Sequence, residues 1–302
     1  MSDRMLIVGA AGQLGTDLVR AAGEPGGADV VGLSRDDLDL AATAAIAPAI
    51  DRHDFDLLIN CAGFTRVDDA ETDASSAVAL NAHAVRELAR ACRRKGARFV
   101  TFSTDYVFDG RADRPYTEDA APAPLNAYGA SKLMGEALAV AAWAEGTFVI
   151  RAASLFGTGA LQRGGGNFVE TMIRAASAGR LLRVVDDITM SPTWTGHLAR
   201  AALDLLGAGA PPGTYHLAGA GAATWYDFAV AALAAAGVEG EVEAVPSAAY
   251  PTPARRPTYS VLDCGRAAAA GVRLPPWRDG LDAYMADRSR EPGQAAVRSE
   301  GP

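Results

Sequence analysis

Cysteine and histidine are scarce in this chain of 302 residues, which contains three cysteines and four histidines. The cysteines stand far apart in the sequence, and the histidines do not cluster either. Neither set has the spacing of a disulfide framework or of a metal site. We therefore expect a protein without a bound metal. The positions concerned are Cys61, Cys92, Cys264, His53, His83, His197 and His216.

Basic residues and long apolar runs are also in short supply. There are 28 Lys and Arg against 36 Asp and Glu, a net charge of −8. That balance argues against nucleic acid or an anionic membrane as the main partner. No apolar run reaches 18 residues, so we expect no membrane-spanning helix. The short apolar start runs directly into a glycine motif, which predicts a strand and not a signal peptide. These features together favour a cytoplasmic protein.

The first half of the chain alternates between short apolar runs and helix-like segments. Short apolar runs with little polar alternation indicate strands that are buried on both faces. Strand–helix–strand repetition predicts a doubly wound parallel sheet of the Rossmann type. The predicted strands are 5–10, 29–34, 56–62, 98–104 and 147–154, and the predicted helices are 13–22, 43–52, 74–95 and 127–144.

This alternation becomes irregular after Ser154. We predict a helix near 168–178, strands at 182–185, 214–219 and 241–245, and a helix from the N-cap Thr224 to Gly237. These pieces suggest a smaller α/β lobe that binds substrate. The predicted division is an NAD(P)-binding domain at 1–155 with returning segments near 182–207, a substrate lobe at 156–287 and a flexible tail at 288–302.

A glycine motif, Gly9-Ala-Ala-Gly12-Gln-Leu-Gly15, follows the first predicted strand and opens a helix. Glycines at this place allow a tight turn and the close approach of backbone to a pyrophosphate, and a helix N-terminus offers free N–H groups. We predict that Gly9, Gly12 and Gly15, with Gln13 and Leu14 between them, bind a dinucleotide.

The second strand ends near Arg35, where a dinucleotide fold meets the adenosine ribose. An acid at this place accepts hydrogen bonds from a 2′-hydroxyl, whereas an arginine holds a 2′-phosphate. Arg35 therefore favours NADPH, with NADH as the alternative. Asp39 and Leu40 follow on the loop and are predicted to border the adenine.

The next two strands end in small and hydroxyl-bearing residues, at the edge where ligands bind in open α/β sheets. After the third strand we predict cofactor contacts from Cys61, Ala62, Gly63 and Thr65. A nucleophilic role for Cys61 is disfavoured, because strand cysteines are usually buried packing residues. After the fourth strand, Ser103 is a predicted cofactor contact, and Thr104 is placed to donate to a substrate carbonyl.

Tyr128 and Lys132 lie four residues apart in a predicted helix, so they share one face. A phenol with a pKa near 10 is a weak acid at neutral pH. A neighbouring ammonium lowers that pKa, and the same lysine is suited to hold ribose hydroxyls. Together with the motifs upstream, the pair predicts an acid catalyst and a cation that tunes it, both of them beside the cofactor.

The chain as a whole resembles the dTDP-4-dehydrorhamnose reductase family of extended short-chain dehydrogenases/reductases. The resemblance runs from Met5 to about Tyr284. It is carried by GAAGQLG, STDYVFDG, YGASKLMGE, GGGNFV, VVDD followed by SPT, GTYHLAG and ARRPTYSVL. It implies reduction of the 4-keto group of a nucleotide-linked 6-deoxy sugar with NADPH or NADH.

By matching position, the resemblance assigns catalysis to Thr104, Tyr128 and Lys132, and sugar contacts to Thr104 and Asp105. One departure concerns Ser154, which stands where the family usually has a tryptophan that packs on the sugar. Asn167 either caps a helix or touches the substrate, and the resemblance favours substrate. Arg256 belongs to a proline-rich loop that either covers the pyrophosphate of the substrate or is only a rigid surface loop.

Two other functions fit the same motifs. One is a nucleotide-sugar epimerase or dehydratase that retains NAD. The other is a non-catalytic NADP-binding regulatory subunit, such as the beta subunit of methionine adenosyltransferase. A monomer and a homodimer are both compatible with the sequence.

Overall fold

The computed structural model describes residues 4–24, 26–163 and 166–290. In chain order, the strands are β1 (Arg4–Val8), β2 (Asp29–Leu33), β3 (Leu57–Asn60), β4 (Arg98–Thr104), β5 (Thr147–Ala152), β6 (Leu155–Phe156), β7 (Leu182–Val185), β8 (Thr189–Met190), β9 (Thr193–Trp194), β10 (Gly213–His216), β11 (Ala223–Thr224) and β12 (Val242–Val245). The helices are α1 (Gln13–Ala22), α2 (Thr43–Ile50), α3 (Ala74–Val78), α4 (Ala84–Lys95), α5 (Ala127–Ala142), α6 (Phe168–Ser177), α7 (Thr195–Gly207), α8 (Trp225–Ala236), α9 (Gly265–Ala269) and α10 (Trp277–Arg288).

Within the described residues, six parallel strands form the main sheet in the order β10-β5-β4-β3-β1-β2. The chain passes from β1 to β2 on one side and then crosses to β3 on the other. The carboxyl ends of β1 and β3, where Val8 pairs with Asn60, therefore flank the switch point at which such sheets bind ligands. The predicted doubly wound parallel sheet is confirmed.

Successive residues of the central strands fill two different cores, since side chains alternate across a sheet. Ile7 and Ile59 face a core that also contains α1 and α7. Leu6 and Leu58 face a second core with α2 and α4. Helices cover both faces, which explains why the strands have almost continuous apolar sequences.

The smaller lobe consists mainly of α6, α8, α10 and a two-stranded parallel sheet of β7 and β12. Aromatic rings fill its interior. Phe228 lies 5.2 Å from Phe156 and 5.5 Å from Phe168 between ring centroids, and Tyr284 is fully buried beside them. This core is separate from the two cores of the main sheet.

The structure corrects three of the predicted boundaries. Strand β7 does not return to the first domain, because it pairs with β12 and buries Leu182 and Val184 in the lobe. Helix α7, the second half of the predicted returning segment, does pack on α1, and strand β10, which lies beyond that segment, also returns by pairing with β5. Arg288, predicted to begin the tail, lies in the last turn of α10 and bonds Glu170 at 2.6 Å. The rest of that tail, 291–302, lies outside the described residues.

The helix predicted over 74–95 is also modified. It is interrupted by a π-helical stretch, Ala79–His83, between α3 and α4. None of the helices in the described part of the chain is long and apolar enough to cross a membrane.

Candidate active site

The glycine turn between β1 and α1 leaves no room for side chains. Gly9 has φ of +77°, and a Cβ on it would lie 2.7 Å from the backbone nitrogen of Ala62. A Cβ on Gly15 would lie 2.1 Å from the carbonyl oxygen of Gly9. Gly12 is the N-cap of α1 and no described side chain caps that helix, so the first-turn N–H groups remain for a ligand. This cradle fits the pyrophosphate of a dinucleotide.

The two residues inside the motif have different surroundings. The side chain of Leu14 is buried in the core between α1 and the sheet, so only its backbone faces the turn. The side chain of Gln13 faces Gly157, whose Cβ position is 3.2 Å from the Gln13 Cγ atom. The predicted role of Leu14 is therefore limited to its N–H group.

The predicted ribose end of the site is open and carries the Arg35 guanidinium. The Arg35 side chain is 79% exposed and lies 3.9 Å from Asp39. Asp37 is engaged elsewhere, because its carboxylate accepts hydrogen bonds from Ser34 at 2.7 and 2.8 Å. Leu40 is only 3% exposed and belongs to the core of the sheet. The Leu40 side chain is therefore covered by the core, and a contact of Leu40 with the adenine stays a prediction.

Asn81 fixes the loop after β3, and the sequence analysis did not identify it. Its Oδ1 accepts from the Phe64 N–H at 2.8 Å, and its Nδ2 donates to the Phe64 carbonyl and to the Ser131 hydroxyl at 3.0 and 2.9 Å. In the sequence, Asn81 stands out only as a polar residue with apolar neighbours in a helical segment. Gly63 lies against this amide, because its Cβ would be 2.9 Å from Oδ1.

The other predicted contacts on this loop differ in exposure. Thr65 is exposed, whereas Cys61 and Ala62 are partly buried. Burial raises the pKa of the Cys61 thiol, which keeps it protonated and a poor nucleophile. Cys61 and Ala62 can therefore contact a cofactor through their backbone and side-chain surface, but Cys61 offers no reactive thiolate.

Tyr128 and Thr104 meet at the carboxyl end of β4. Asn126 caps α5 by accepting a hydrogen bond from the Gly129 N–H at 2.7 Å, which places Tyr128 in the first turn. The Tyr128 phenol lies beside the Thr104 side chain. Its ring also meets that of Tyr106 edge to face, with centroids 6.0 Å apart. The structure therefore brings together two of the three predicted catalytic side chains.

Lys132 lies on the same helix but does not tune the phenol in this arrangement. Its Nζ donates to the Phe102 carbonyl at 2.5 Å, and burial lowers its pKa to about 8. Burial raises the pKa of Tyr128 to about 12, with the Thr104 hydrogen bond acting in the opposite direction. The prediction that Lys132 lowers this pKa is wrong here, because the ammonium is directed at a carbonyl.

Asp105 is the hydrogen-bond acceptor for the Thr104 hydroxyl. The Thr104 hydroxyl donates to Asp105 Oδ1 at 3.0 Å, and the Ser260 hydroxyl donates to Oδ2 at 2.6 Å. Asp105 is 2% exposed. Burial raises its pKa to about 6, against the effect of these two hydrogen bonds. Its direct contact with a sugar stays a prediction, as both oxygens already have partners.

Ser103 turns away from the cofactor side. It is buried, and its hydroxyl donates to Glu136 Oε1 at 2.5 Å. The hydroxyl belongs to an interior network with Glu136, and a cofactor contact from Ser103 stays a prediction.

The remaining predicted substrate residues are Arg256, Ser154 and Asn167. Arg256 donates to Asp68 at 2.8 and 3.1 Å and reaches the Tyr106 phenol, so its loop is tied to the wall beside Tyr128. Ser154 has φ of +45°, the only positive value among described non-glycine residues. Such strained backbone concentrates at functional sites.

Asn167 is the N-cap of α6. Its Oδ1 accepts from the Glu170 N–H at 3.1 Å. Its Nδ2 donates to the Gly157 carbonyl at 3.0 Å and to the Tyr284 hydroxyl at 3.1 Å. Both amide hydrogens are therefore used by the fold, and its contact with substrate stays a prediction. No group of His, Cys, Asp and Glu within the described ranges is arranged to hold a metal ion.

A parallel sheet with a glycine turn after its first strand, and a Tyr–Lys helix facing the end of its fourth, defines a short-chain dehydrogenase/reductase of the extended type. A family model described as the RmlD substrate binding domain matches residues 3–290. The chain belongs to this family, that of the dTDP-4-dehydrorhamnose reductases, which are NADPH-dependent oxidoreductases.

Individual relatives agree with this assignment. The chain is 41% identical to dTDP-4-keto-6-deoxy-D-glucose reductase of Streptomyces niveus, over 87% of this chain and 89% of that one. It is 40% identical to dTDP-4-dehydrorhamnose reductase of Mycobacterium tuberculosis, over 94% and 93%. Among solved structures, dTDP-4-dehydrorhamnose reductase of Bacillus anthracis in complex with NADP is 32% identical with a TM-score of 0.88, over 95% and 100%.

Proposed function

We propose that this protein reduces the 4-keto group of a dTDP-linked 4-keto-6-deoxy sugar with NADPH. The observation that carries the proposal is the placement of Tyr128 beside Thr104 and near Lys132, at the carboxyl edge of the sheet and beside the glycine cradle. The names of the relatives support the same reaction class and cofactor.

In this reaction, bound NADPH would supply the hydride for C4 of the sugar. Tyr128 acts as the general acid that protonates the C4 oxygen. A pKa of about 12 keeps the phenol protonated at neutral pH, and a positioned hydrogen-bond donor stabilises the charge that develops on that oxygen. Thr104 lies beside the phenol.

The other residues bind and orient the cofactor. The first turn of α1 and the glycine cradle hold the pyrophosphate. Arg35 is placed for a 2′-phosphate, which favours NADPH over NADH. Lys132 is within reach of a ribose hydroxyl beside Gly63, whose Cβ position is 3.7 Å from Nζ.

No specific observation favours the two other functions. The retained Tyr128, Thr104 and Lys132 speak against a non-catalytic subunit, and the relatives are named as reductases and not as epimerases. A monomer or homodimer and a cytoplasmic location stay predictions from the sequence.

The test is NADPH oxidation with two substrates, dTDP-4-dehydrorhamnose and dTDP-4-keto-6-deoxy-D-glucose. Two relatives carry the names of these two sugars, and Ser154 replaces the tryptophan expected against the sugar. We expect NADPH consumption with one of them and a product reduced at C4. No consumption with either sugar, or retention of NAD by the purified protein with no net turnover, would contradict the proposal.

A further inference from the structure

Ser260 reaches the catalytic end of the sheet from a distant part of the chain. It is 155 residues from Asp105, and its hydroxyl donates to Asp105 Oδ2 at 2.6 Å. The side chain is 1% exposed. Its backbone is fixed as well, because the Ser260 N–H donates to the Thr189 carbonyl at 2.9 Å, and the Thr189 N–H donates to the Thr258 carbonyl at 2.9 Å.

The two oxygens of Asp105 are divided between two hydroxyl groups. Oδ2 accepts from Ser260 and Oδ1 accepts from Thr104. A threonine hydroxyl has one hydrogen. Because that hydrogen is directed to Asp105, Thr104 Oγ1 can only accept further hydrogen bonds. The Tyr106 N–H donates one of them at 3.2 Å. The Tyr128 phenol lies beside Thr104, in a contact that favours the charged phenolate.

These bonds fix the direction of the Thr104 hydroxyl. The Ser260 hydroxyl holds Asp105 Oδ2, and Asp105 Oδ1 holds the Thr104 hydrogen beside the Tyr128 phenol. Without the Ser260 hydroxyl, the Asp105 carboxyl loses one of its two side-chain donors in the protein interior, where an unpaired polar group is costly. Asp105 would then be free to rotate, and the direction of the Thr104 hydroxyl would no longer be unique.

We propose that Ser260 is a positioning residue for the reduction: acting through Asp105, it fixes the Thr104 hydroxyl next to the acid Tyr128. The inference rests on the proposed function, because it assigns Tyr128 as the proton donor. Ser260 itself touches neither phenol nor glycine cradle in the described contacts, so it is not a catalytic residue.

Besides its two hydroxyl donors, the backbone N–H groups of Asp105 and Tyr106 favour the charged form of Asp105. The titratable side chains near it are the phenols of Tyr106 and Tyr128, and burial raises the pKa of both. Arg256, a cation of the same wall, bonds Asp68. The Ser260 and Thr104 hydrogen bonds are the side-chain contacts that favour the charged carboxylate.

The test compares Ser260→Ala with Thr258→Val. Thr258 lies on the same segment as Ser260. Among the described contacts, its hydroxyl donates only to the Gly110 carbonyl, at 3.0 Å. Thr258→Val therefore shows how much of any effect comes from a weakened segment alone. We expect Ser260→Ala to lower kcat about tenfold, the effect of losing one orienting hydrogen bond. The KM for NADPH should change less than about twofold, and Ser260→Thr should recover most of kcat. Equal kcat values for Ser260→Ala and Thr258→Val would overturn the proposal.

A second readout does not depend on turnover. Carbon-13 NMR of labelled aspartate follows the Asp105 carboxyl, whose pKa should rise by about one unit in Ser260→Ala because a donor to the charged form is lost. Thr258→Val should leave it unchanged. If Ser260→Ala does not fold, Ser260→Cys removes the strong donor at nearly constant shape and carries the same expectation.

The two readouts separate the two proposals. A raised Asp105 pKa in a protein that reduces neither sugar would contradict the proposed function and leave the hydrogen-bonded chain intact. An active reductase in which neither the pKa nor kcat responds to Ser260 would refute the positioning role alone.

Discussion

Arg151 and Glu136 form a buried ion pair one helical turn beyond Lys132. The Arg151 Nε donates to Glu136 Oε1 at 3.0 Å and Nη2 donates to Oε2 at 2.7 Å, with side chains 6% and 8% exposed. Ser103 also donates to this carboxylate, and His216 lies 3.5 Å from the guanidinium. The pair therefore joins α5 to strands β4, β5 and β10 directly beneath the catalytic edge.

Arg151→Met should strongly destabilise the protein. The change leaves the Glu136 carboxylate buried without its cation, a situation that costs about 3–5 kcal/mol. Urea unfolding measures the loss. The double variant Arg151→Met/Glu136→Leu removes both charges and should recover much of the stability. A single variant that loses less than about 1 kcal/mol would show that the pair contributes little.

Gly15→Ala should weaken NADPH binding at least tenfold. The new Cβ would lie 2.1 Å from the Gly9 carbonyl oxygen, so the turn must move and the cradle lose its shape. Fluorescence titration with NADPH measures the affinity. Gly207→Ala is the control, because no heavy atom lies within 4 Å of its Cβ position. It should leave binding unchanged. Unaltered affinity in Gly15→Ala would argue against the cradle as the cofactor site.

Arg35→Ala should reduce the preference for NADPH. The exposed guanidinium is the predicted partner of the 2′-phosphate, and a charge-assisted hydrogen bond contributes about 1.5–3 kcal/mol. We expect the KM for NADPH to rise about tenfold or more while the KM for NADH stays nearly constant. Steady-state kinetics with both cofactors tests this. Parallel changes for NADPH and NADH would place the 2′-phosphate elsewhere.

Asp105→Asn should change the pH dependence of stability. Burial raises the Asp105 pKa from its ordinary 3.8 to about 6. The folded state then binds the proton more tightly than the unfolded chain, so the stability from this group is complete below pH 4 and is lost as pH rises to about 6. Relative to wild type, the Asn variant should gain roughly 3 kcal/mol across that window.

The control for this titration is Asp37→Asn. Hydrogen bonds from Ser34 lower the pKa of Asp37. Its stabilising effect is therefore present above the ordinary pKa and lost as pH falls, and the Asn variant should become relatively less stable as pH rises. Urea unfolding between pH 3.5 and about pH 7 compares the signs. A flat difference curve for Asp105→Asn would mean that this carboxyl titrates normally.

Tyr128→Phe should abolish most turnover and retain cofactor binding. The general acid contributes typically about 100- to 10,000-fold to a rate, whereas the phenyl ring preserves the edge contact with Tyr106. NADPH oxidation and NADPH binding are measured on the same preparation. Full activity in this variant would refute the acid role, and loss of binding together with activity would indicate a disturbed fold.

The order of strands and helices in the main sheet is readable from the sequence because it depends on local patterns. Buried parallel strands require short apolar runs, and the turn after β1 admits only glycine at Gly9 and Gly15. The Asn126 cap likewise places Tyr128 and Lys132 on one helical face. The predicted cofactor and catalytic positions follow from this order, and their roles stay predictions.

The direction and partners of individual side chains were decided by tertiary structure. Ser103 and Leu40 point into the interior, Asn81 fixes a loop 17 residues away, and Lys132 is directed at a carbonyl and not at the phenol. Ser260 meets Asp105 only because the extended 258–260 segment pairs with Thr189. Contacts across such separations depend on how whole elements pack. By itself, the sequence determined where the reactive groups lie along the chain, whereas only the packed fold decided which groups face one another.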